Sequence, residues 1–338
     1  MQVAVRTRTS KSILTVIAIA LLLGIIFYLG AQKHFQAQEY VQLILDGLSG
    51  GAIYALIALG FVVIYDVTGI INFAQGEFVM LGAMISATVM TWALPLPASL
   101  QLLVAVVIAV ILTTLVGIVI ERVAIYPARH SPIVSLIIIT IGATMAIRAL
   151  ALIVWGTRPY VVPAFSTLKL EDLTLRYSGI IFKAQSFWIW GVGAIILGVL
   201  FIFLERTLMG KALRACSINR RAAQLMGISP TRMSMLSFAL AAAIGGLGGA
   251  VLAPATRPTY DMGLILGLKG FVAAIMGGLV SLPGAVVGGL LLGIVENLGA
   301  GVTSAGYKDI ISFVILILIL LFRPQGILGG SAGRADEG

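Results

Sequence analysis

Ten long apolar segments recur along the chain, at 12–30, 41–65, 73–93, 100–120, 133–155, 187–204, 233–254, 264–280, 285–300 and 309–322. Each needs burial in something other than water, and most approach the ~20 residues that cross a bilayer as a helix. They run continuously, whereas barrel strands would alternate in segments of ~10 residues. Charge is too scarce for any soluble alternative. Ten per cent of the residues are charged, against about 25% in a soluble domain. The expected fold class is all-α. It is a polytopic integral membrane helical bundle of about 8–10 transmembrane helices, some broken or re-entrant. Glycines interrupt 264–300, so two short spans or a re-entrant pair fit there.

Basic residues give the bundle an orientation. If the N-terminus is cytoplasmic and every segment crosses once, the cytoplasmic stretches 1–11, 121–132, 205–232 and 323–338 hold 13 Lys and Arg. The external stretches 31–40, 156–186, 255–263 and 301–308 hold 7. That asymmetry follows the positive-inside rule and places both termini in the cytoplasm. The net charge of +9 is then loop charge, and no basic domain suggests nucleic acid as a partner. Residues 1–11 read as a cytoplasmic tail and 12–30 as a retained N-terminal transmembrane helix. Residues 41–322 read as the main transmembrane domain, and 323–338 as a short cytoplasmic tail. The single Cys216 excludes an intramolecular disulfide.

Glycines at four-residue spacing, such as Gly47 and Gly51, Gly245 and Gly249, Gly284 and Gly288, and Gly289 and Gly293, allow helix backbones to approach closely in lipid. Packing within one bundle is the plainer use, and an oligomer interface the other.

The sequence carries no phosphate-binding loop, no Cys/His cluster and no nucleophile–base motif. No catalytic residue, metal ligand or bound cofactor is expected. Attention moves to polar groups inside apolar segments, which are costly at membrane depth. They are Asn72, Gln75, Glu77, Arg148, Lys269 and Glu296. The string INFAQGEF, 71–78, places three of them together. Asn72 and Gln75 have the spacing of a capping box, which starts a helix near Phe73 and puts Glu77 in its first turn. Arg148 suits an ion pair between helices. Lys269 either snorkels outward or lines a path, and Glu296 reads as interfacial. Lining a translocation path is the bolder use of Asn72, Gln75, Glu77, Arg148 and Lys269. Such intramembrane charges also suit an ion-coupled secondary carrier.

The longest cytoplasmic loop, 205–232, has six Lys and Arg. A short helix from Asn219 to Met226 is expected there, stopped by Gly227 with Pro230 following. It reads as either a solvated basic loop or a docking helix for a cytoplasmic partner.

Four strings, INFAQGEFVMLGA (71–83), LMGKALRACSINRRAAQLMGIS (208–229), KGFVAAIMGGLVSLPGAVVGGLLLGIVENL (269–298) and FRPQGILG (322–329), together with ERVAIYPAR (121–129), resemble the membrane permease of branched-chain amino acid ABC importers. The resemblance covers about 41–329. It implies a bacterial inner-membrane subunit that binds no cofactor itself and forms the path with a second, homologous permease. It also implies two cytoplasmic ATP-binding subunits that use the ATP, and an external or periplasmic solute-binding protein. Arg221, Ala222, Ala223 and Gly227 have the spacing of the E-A-A-x-x-x-G coupling string of the wider importer class, with Arg at the first position. The implied coupling segment also takes in Arg206, Gly210 and Arg214. Two departures stand out. The family pattern often has His where this chain has Gln75, and 12–30 is additional to the usual core. The solute therefore stays open among branched-chain and other amino acids, urea and short amides.

Overall fold

A computed structural model describes residues 24, 28–92, 95–163, 181 and 183–328. The expected helix at 12–30 and most of the expected tail at 323–338 lie outside the described residues. Eleven α-helices are described: α1 (Ala37–Thr68), α2 (Gln75–Thr91), α3 (Ala98–Ile120), α4 (Ile133–Trp155), α5 (Ala184–Arg206), α6 (Leu208–Ile218), α7 (Arg220–Leu225), α8 (Pro230–Leu252), α9 (Met262–Gly277), α10 (Leu282–Val302) and α11 (Lys308–Phe322). No strand occurs among the described residues. Seven helical spans are long and apolar enough to cross a membrane: α1, α3, α4, α5, α8, α10, and α11 together with the 3-10 turn Ala305–Tyr307 that precedes it. This is a multi-pass membrane bundle. The region 264–300 resolves into two helices, α9 and α10. Gly278 (φ +107°) turns the chain between them, and Ser281 caps α10 by accepting from the Gly284 N–H. At 17 and 16 residues, α2 and α9 fall short of a full crossing.

The chain forms two compact units. The first comprises residues 1–55, 171–182 and 272–338. Here the N-terminal part of α1 meets α10 backbone to backbone. A Cβ on Gly47 or Gly51 would land on the main chain at 289–294, and one on Gly293 would strike Gly47 and Gly51. Glu296 is wholly buried in this unit. It accepts from Tyr54 Oη (3.0 Å) and Ser312 Oγ (2.7 Å), and pairs with Lys308 Nζ at 3.3 Å. A buried carboxylate needs these donors, and it ties α1, α10 and the start of α11 together.

The second unit comprises residues 56–170 and 183–271. Its centre is the packing of α2, α3 and α8 on one another. Small residues permit it. The Gly82 and Gly246 backbones touch, and Gly249 lies on the main chain of Val79 and Ala83. Phe78, Met80, Met84 and Phe238 fill the space around these crossings. Between α1 and α2 the chain unwinds through Gly69 (φ +70°), whose N–H closes α1 on Tyr65 O at 2.7 Å. The far end of α2 is closed by Gln101 of α3, whose amide donates to the Trp92 carbonyl at 2.8 Å.

α4 and α5 lie at the edge of this unit. Their outward residues, such as Ile138, Met145, Ile153, Ile195 and Ile202, are apolar and exposed, as a lipid-facing surface requires. α4 presents a polar stripe inward: the Thr140 hydroxyl accepts from Phe73 N (3.3 Å), Arg148 pairs with Glu77, and Trp155 Nε1 donates to Thr88 Oγ1 (2.6 Å). The offsets of eight and seven residues keep all three on one helix face.

The small-residue spacing thus serves packing within the chain. Gly82→Val should cost about 1–3 kcal/mol or more through overpacking. It should lower the yield of monodisperse protein in size-exclusion chromatography and its melting temperature. Gly142→Ala, on an open helix surface, should change neither. Equal behaviour of the two variants would refute close approach at Gly82.

Candidate functional site

The polar residues of 72–77 converge in the second unit, and the structure revises how they are used. α2 starts at Gln75, two residues later than expected, with Ala74 at the N-cap and no side-chain cap. The capping-box reading is therefore corrected. Asn72 does face the helix start, but its Oδ1 accepts from the Ala74 N–H (3.2 Å) in a local turn. Gln75 turns away from the backbone it was expected to cap. Its Nε2 donates to Ala241 O of α8 at 3.1 Å. Gly60 of α1 leaves the room for that amide, since a Cβ there would overlap it. A long polar side chain thus fits between three helices because the facing residue has none.

Glu77 is wholly buried, and Arg148 Nη2 pairs with its Oε1 at 2.8 Å. The expected interhelical ion pair is present. A quarter of the Arg148 side chain remains exposed, which lowers its desolvation cost relative to Glu77. Four buried polar atoms of this group have no hydrogen-bond partner among the described residues: Asn72 Nδ2, Gln75 Oε1, Glu77 Oε2 and Arg148 Nε. Donors and acceptors are both represented, so the group can bind a small polar molecule. Lys269 is buried on α9, which corrects the snorkelling alternative. It lies two residues beyond Gly267, whose backbone meets Gly76. Phe73 and Phe271 pack with ring centroids 5.5 Å apart in the same region.

The second candidate region is 205–232. The expected short helix is present as α7. Asn219 caps it by accepting from Ala222 N (2.9 Å), and Gly227 (φ +83°) ends it. A further helix, α6, precedes it, capped by the Thr207 hydroxyl on Gly210 N. Sequence reading missed α6, although Thr207 three residues before Gly210 offered a capping signal. Gly210 lies flat against the backbone of Phe203 and Leu204, which folds α6 back on the end of α5. Arg214 pairs with Glu205 at 2.7 Å across that fold.

The two alanines do not share one docking face. Ala223 is buried with Val67, Leu213, Cys216 and Met233, while Ala222, Arg206, Arg221 and Gly227 are exposed. Ala223 is the buried anchor of α7, because the 3.6-residue period turns it toward the bundle while its neighbours face out. What faces out is more apolar than expected. Leu208 (84% exposed), Ile218 (81%), Leu225 (88%) and Met226 (82%) protrude from this basic segment. Leu225 and Met226, adjacent and both exposed, are the closest to an apolar contact surface in this segment, and their pairing was the available sequence signal.

Among the described residues no group of three or more His, Cys, Asp or Glu stands together as a metal site. Nothing in either region resembles a catalytic constellation.

The model of the family described as branched-chain amino acid transport system / permease component matches residues 43–320. This chain belongs to that permease family. Among curated relatives, the high-affinity branched-chain amino acid transport system permease protein BraD of Pseudomonas aeruginosa is 33% identical over 295 residues, 86% of this chain and 96% of the relative. The corresponding LivH proteins of Salmonella typhimurium and Escherichia coli are each 35% identical over 295 residues, with the same coverage. The match spans both regions described above, the polar break before α2 and the α6–α7 segment. As a member of this family the chain is a permease component.

Removing one partner of a buried ion pair leaves an uncompensated charge, at about 3–5 kcal/mol. Arg148→Met should therefore lower the melting temperature of the purified permease markedly. Adding Glu77→Gln to it should restore most of the loss. If single and double variants melt alike, the pair does not hold α4 to α2.

Proposed function

We propose that this permease forms the translocation path of an ATP-driven importer together with a second, homologous permease, and that its solute is a branched-chain or related amino acid. Two cytoplasmic ATP-binding subunits supply the ATP hydrolysis, and an external solute-binding protein delivers the solute. The chain itself binds no cofactor. It lies in the inner membrane of a bacterial cell with both termini cytoplasmic, the orientation favoured by its basic loops.

The observation that carries this reading is the α6–α7 segment. Two capped helices hold a row of exposed apolar side chains outside the apolar spans. Such a surface calls for a protein partner. Leu225 and Met226 insert into a groove of the ATP-binding subunit, with Arg221, Ala222 and Gly227 around them. Arg206, Gly210 and Arg214 set the angle of α6, and Ala223 transmits movement inward. ATP-driven closure of the partner subunits displaces α7. Helix packing then switches, and the solute passes the Asn72, Gln75, Glu77 and Arg148 group, with Lys269 further along the path. High affinity rests with the binding protein. The names of the relatives support the amino-acid solute.

An ion-coupled carrier would need a carboxylate available for a cation. Glu77 is paired with Arg148 and Glu296 with Lys308, so neither of these two is a free carboxylate, and the names of the relatives favour the importer.

Leu225→Asp combined with Met226→Asp should abolish co-purification of the ATP-binding subunits. It should reduce uptake more than about tenfold, since desolvating two charges in an apolar groove costs well over 1.4 kcal/mol. Membrane insertion and the affinity of the solute-binding protein should stay unchanged. Normal uptake by the double variant would refute docking through α7.

A further inference from the structure

A cavity of about 160 Å³ lies in the second unit, where the ends of α1 and α3 meet the starts of α4, α7 and α8. It is separate from the Asn72–Glu77 group and lies on the same side of the bundle as α7. Its lining carries both signs of charge. Glu121, Arg129 and Arg220 all line it, and Ile125, Ile133 and Leu136 supply apolar surface.

Glu121 is 2% exposed, and its Oε2 has no hydrogen-bond partner among the described residues. Such a buried oxygen costs about 1–3 kcal/mol or more when left unmatched. Ser234 stands beside the carboxyl group as a neutral donor, and Arg122, the next residue, is a nearby cation that forms no ion pair with it. Arg129 stacks its guanidinium over the Tyr126 ring, 4.2 Å from the centroid, and donates to His130. Neither contact cancels its positive charge. Among the described residues neither arginine forms an ion pair, and neither does Glu121. Opposite charges thus line one cavity at a separation too large for them to pair directly.

A ligand that completes this arrangement carries both a cationic hydrogen-bond donor and an anion, with an apolar group beside them. A phosphate or a lipid headgroup phosphate would face repulsion from Glu121, and a simple cation would face the two arginines. The volume is also restrictive: a cavity of about 150 Å³ takes a six-carbon ring, so the apolar group that enters has only a few carbons. We propose that this cavity is a binding site for a small zwitterionic α-amino acid with an apolar side chain. Glu121 receives the ammonium, Arg129 and Arg220 receive the carboxylate, and Ile125, Ile133 and Leu136 hold the side chain.

The site deepens the proposed function and rests on it for the source of the amino acid, which arrives as imported solute. Arg220 is the first residue of α7. A bound amino acid therefore joins α7 to the α3–α4 connection, so internal solute acts on the element that couples the permease to its partners.

The test is equilibrium binding of radiolabelled L-leucine to the full permease complex in nanodiscs without the solute-binding protein. Competition by leucinamide, which lacks the carboxylate, and N-acetyl-leucine, which lacks the ammonium, follows. Leucine should bind saturably, and neither analogue should compete. Glu121→Gln, nearly isosteric, and Arg129→Ala, at an exposed position, should each weaken binding about tenfold or more, the loss expected for one charge-assisted contact. Gly142→Ala, on an open helix surface, should leave this binding intact. If either cavity variant folds and binds leucine as the parent does, or if N-acetyl-leucine competes equally, the proposal is overturned. Leucine uptake in proteoliposomes with the binding protein reads out the proposed function separately. Uptake without cavity-dependent binding sinks only the site, whereas cavity-dependent binding without leucine uptake sinks only the assigned solute.

Discussion

Close contact between helix backbones is the constraint on which this permease depends. In lipid no hydrophobic force draws one apolar helix to another, so packing distance and polar ties do that work. The second unit meets the requirement where α2 crosses α8, with Gly82 on Gly246 and Gly249 on Val79. The first unit meets it where α1 crosses α10, through Gly47, Gly51 and Gly293. A methyl group at any of these positions would force the helices apart, and the polar groups between them would lose their partners.

Those polar groups follow from the crossings. Gln75 reaches the Ala241 carbonyl because α2 and α8 are close and because Gly60 leaves space on the third side. Glu77 then faces α4, whose Arg148 is the partner that a carboxylate at that depth requires. α4 otherwise offers lipid an apolar surface. Its attachment rests on Thr140, Arg148 and Trp155, three polar contacts along one stripe. The group that lines the proposed passage is thus also what holds an edge helix in place.

Much of this was legible in the sequence. Every apolar segment that falls among the described residues became a helix, because continuous apolar runs of that length have no other stable form in lipid. The ion-pair reading of Arg148 followed from the cost of an isolated charge. The α7 boundaries followed from Asn219 and Gly227, whose chemistry is local. What was not legible depended on distant residues. Gln75 has the spacing of a cap, and only the position of Ala241, 166 residues away, reveals its other use. Glu296 read as interfacial from its place near the end of its segment, which gave no sign of its partners Tyr54, Ser312 and Lys308. Ala223 read as docking surface until α7 was oriented on the bundle. Local periodicity fixes which residues share a face, but not which neighbour that face meets.

The connection between α7 and α8 is short. Gly227 ends α7, Ser229 caps α8 by accepting from Arg232 N, and Pro230 begins it. No slack loop separates the two helices. α8 then runs as one rod past Ala241, which holds Gln75, to its glycine crossing with α2. A rod pinned at such a crossing behaves as a lever with its fulcrum inside the bundle. Ala241 lies eleven residues beyond Pro230, about 16 Å along the helix at 1.5 Å per residue. It sits close to the fulcrum, while α7 is at the far end. A wide swing at the surface would therefore arrive at Gln75 as a small displacement with greater force. That ratio suits breaking and remaking one amide hydrogen bond rather than separating helices.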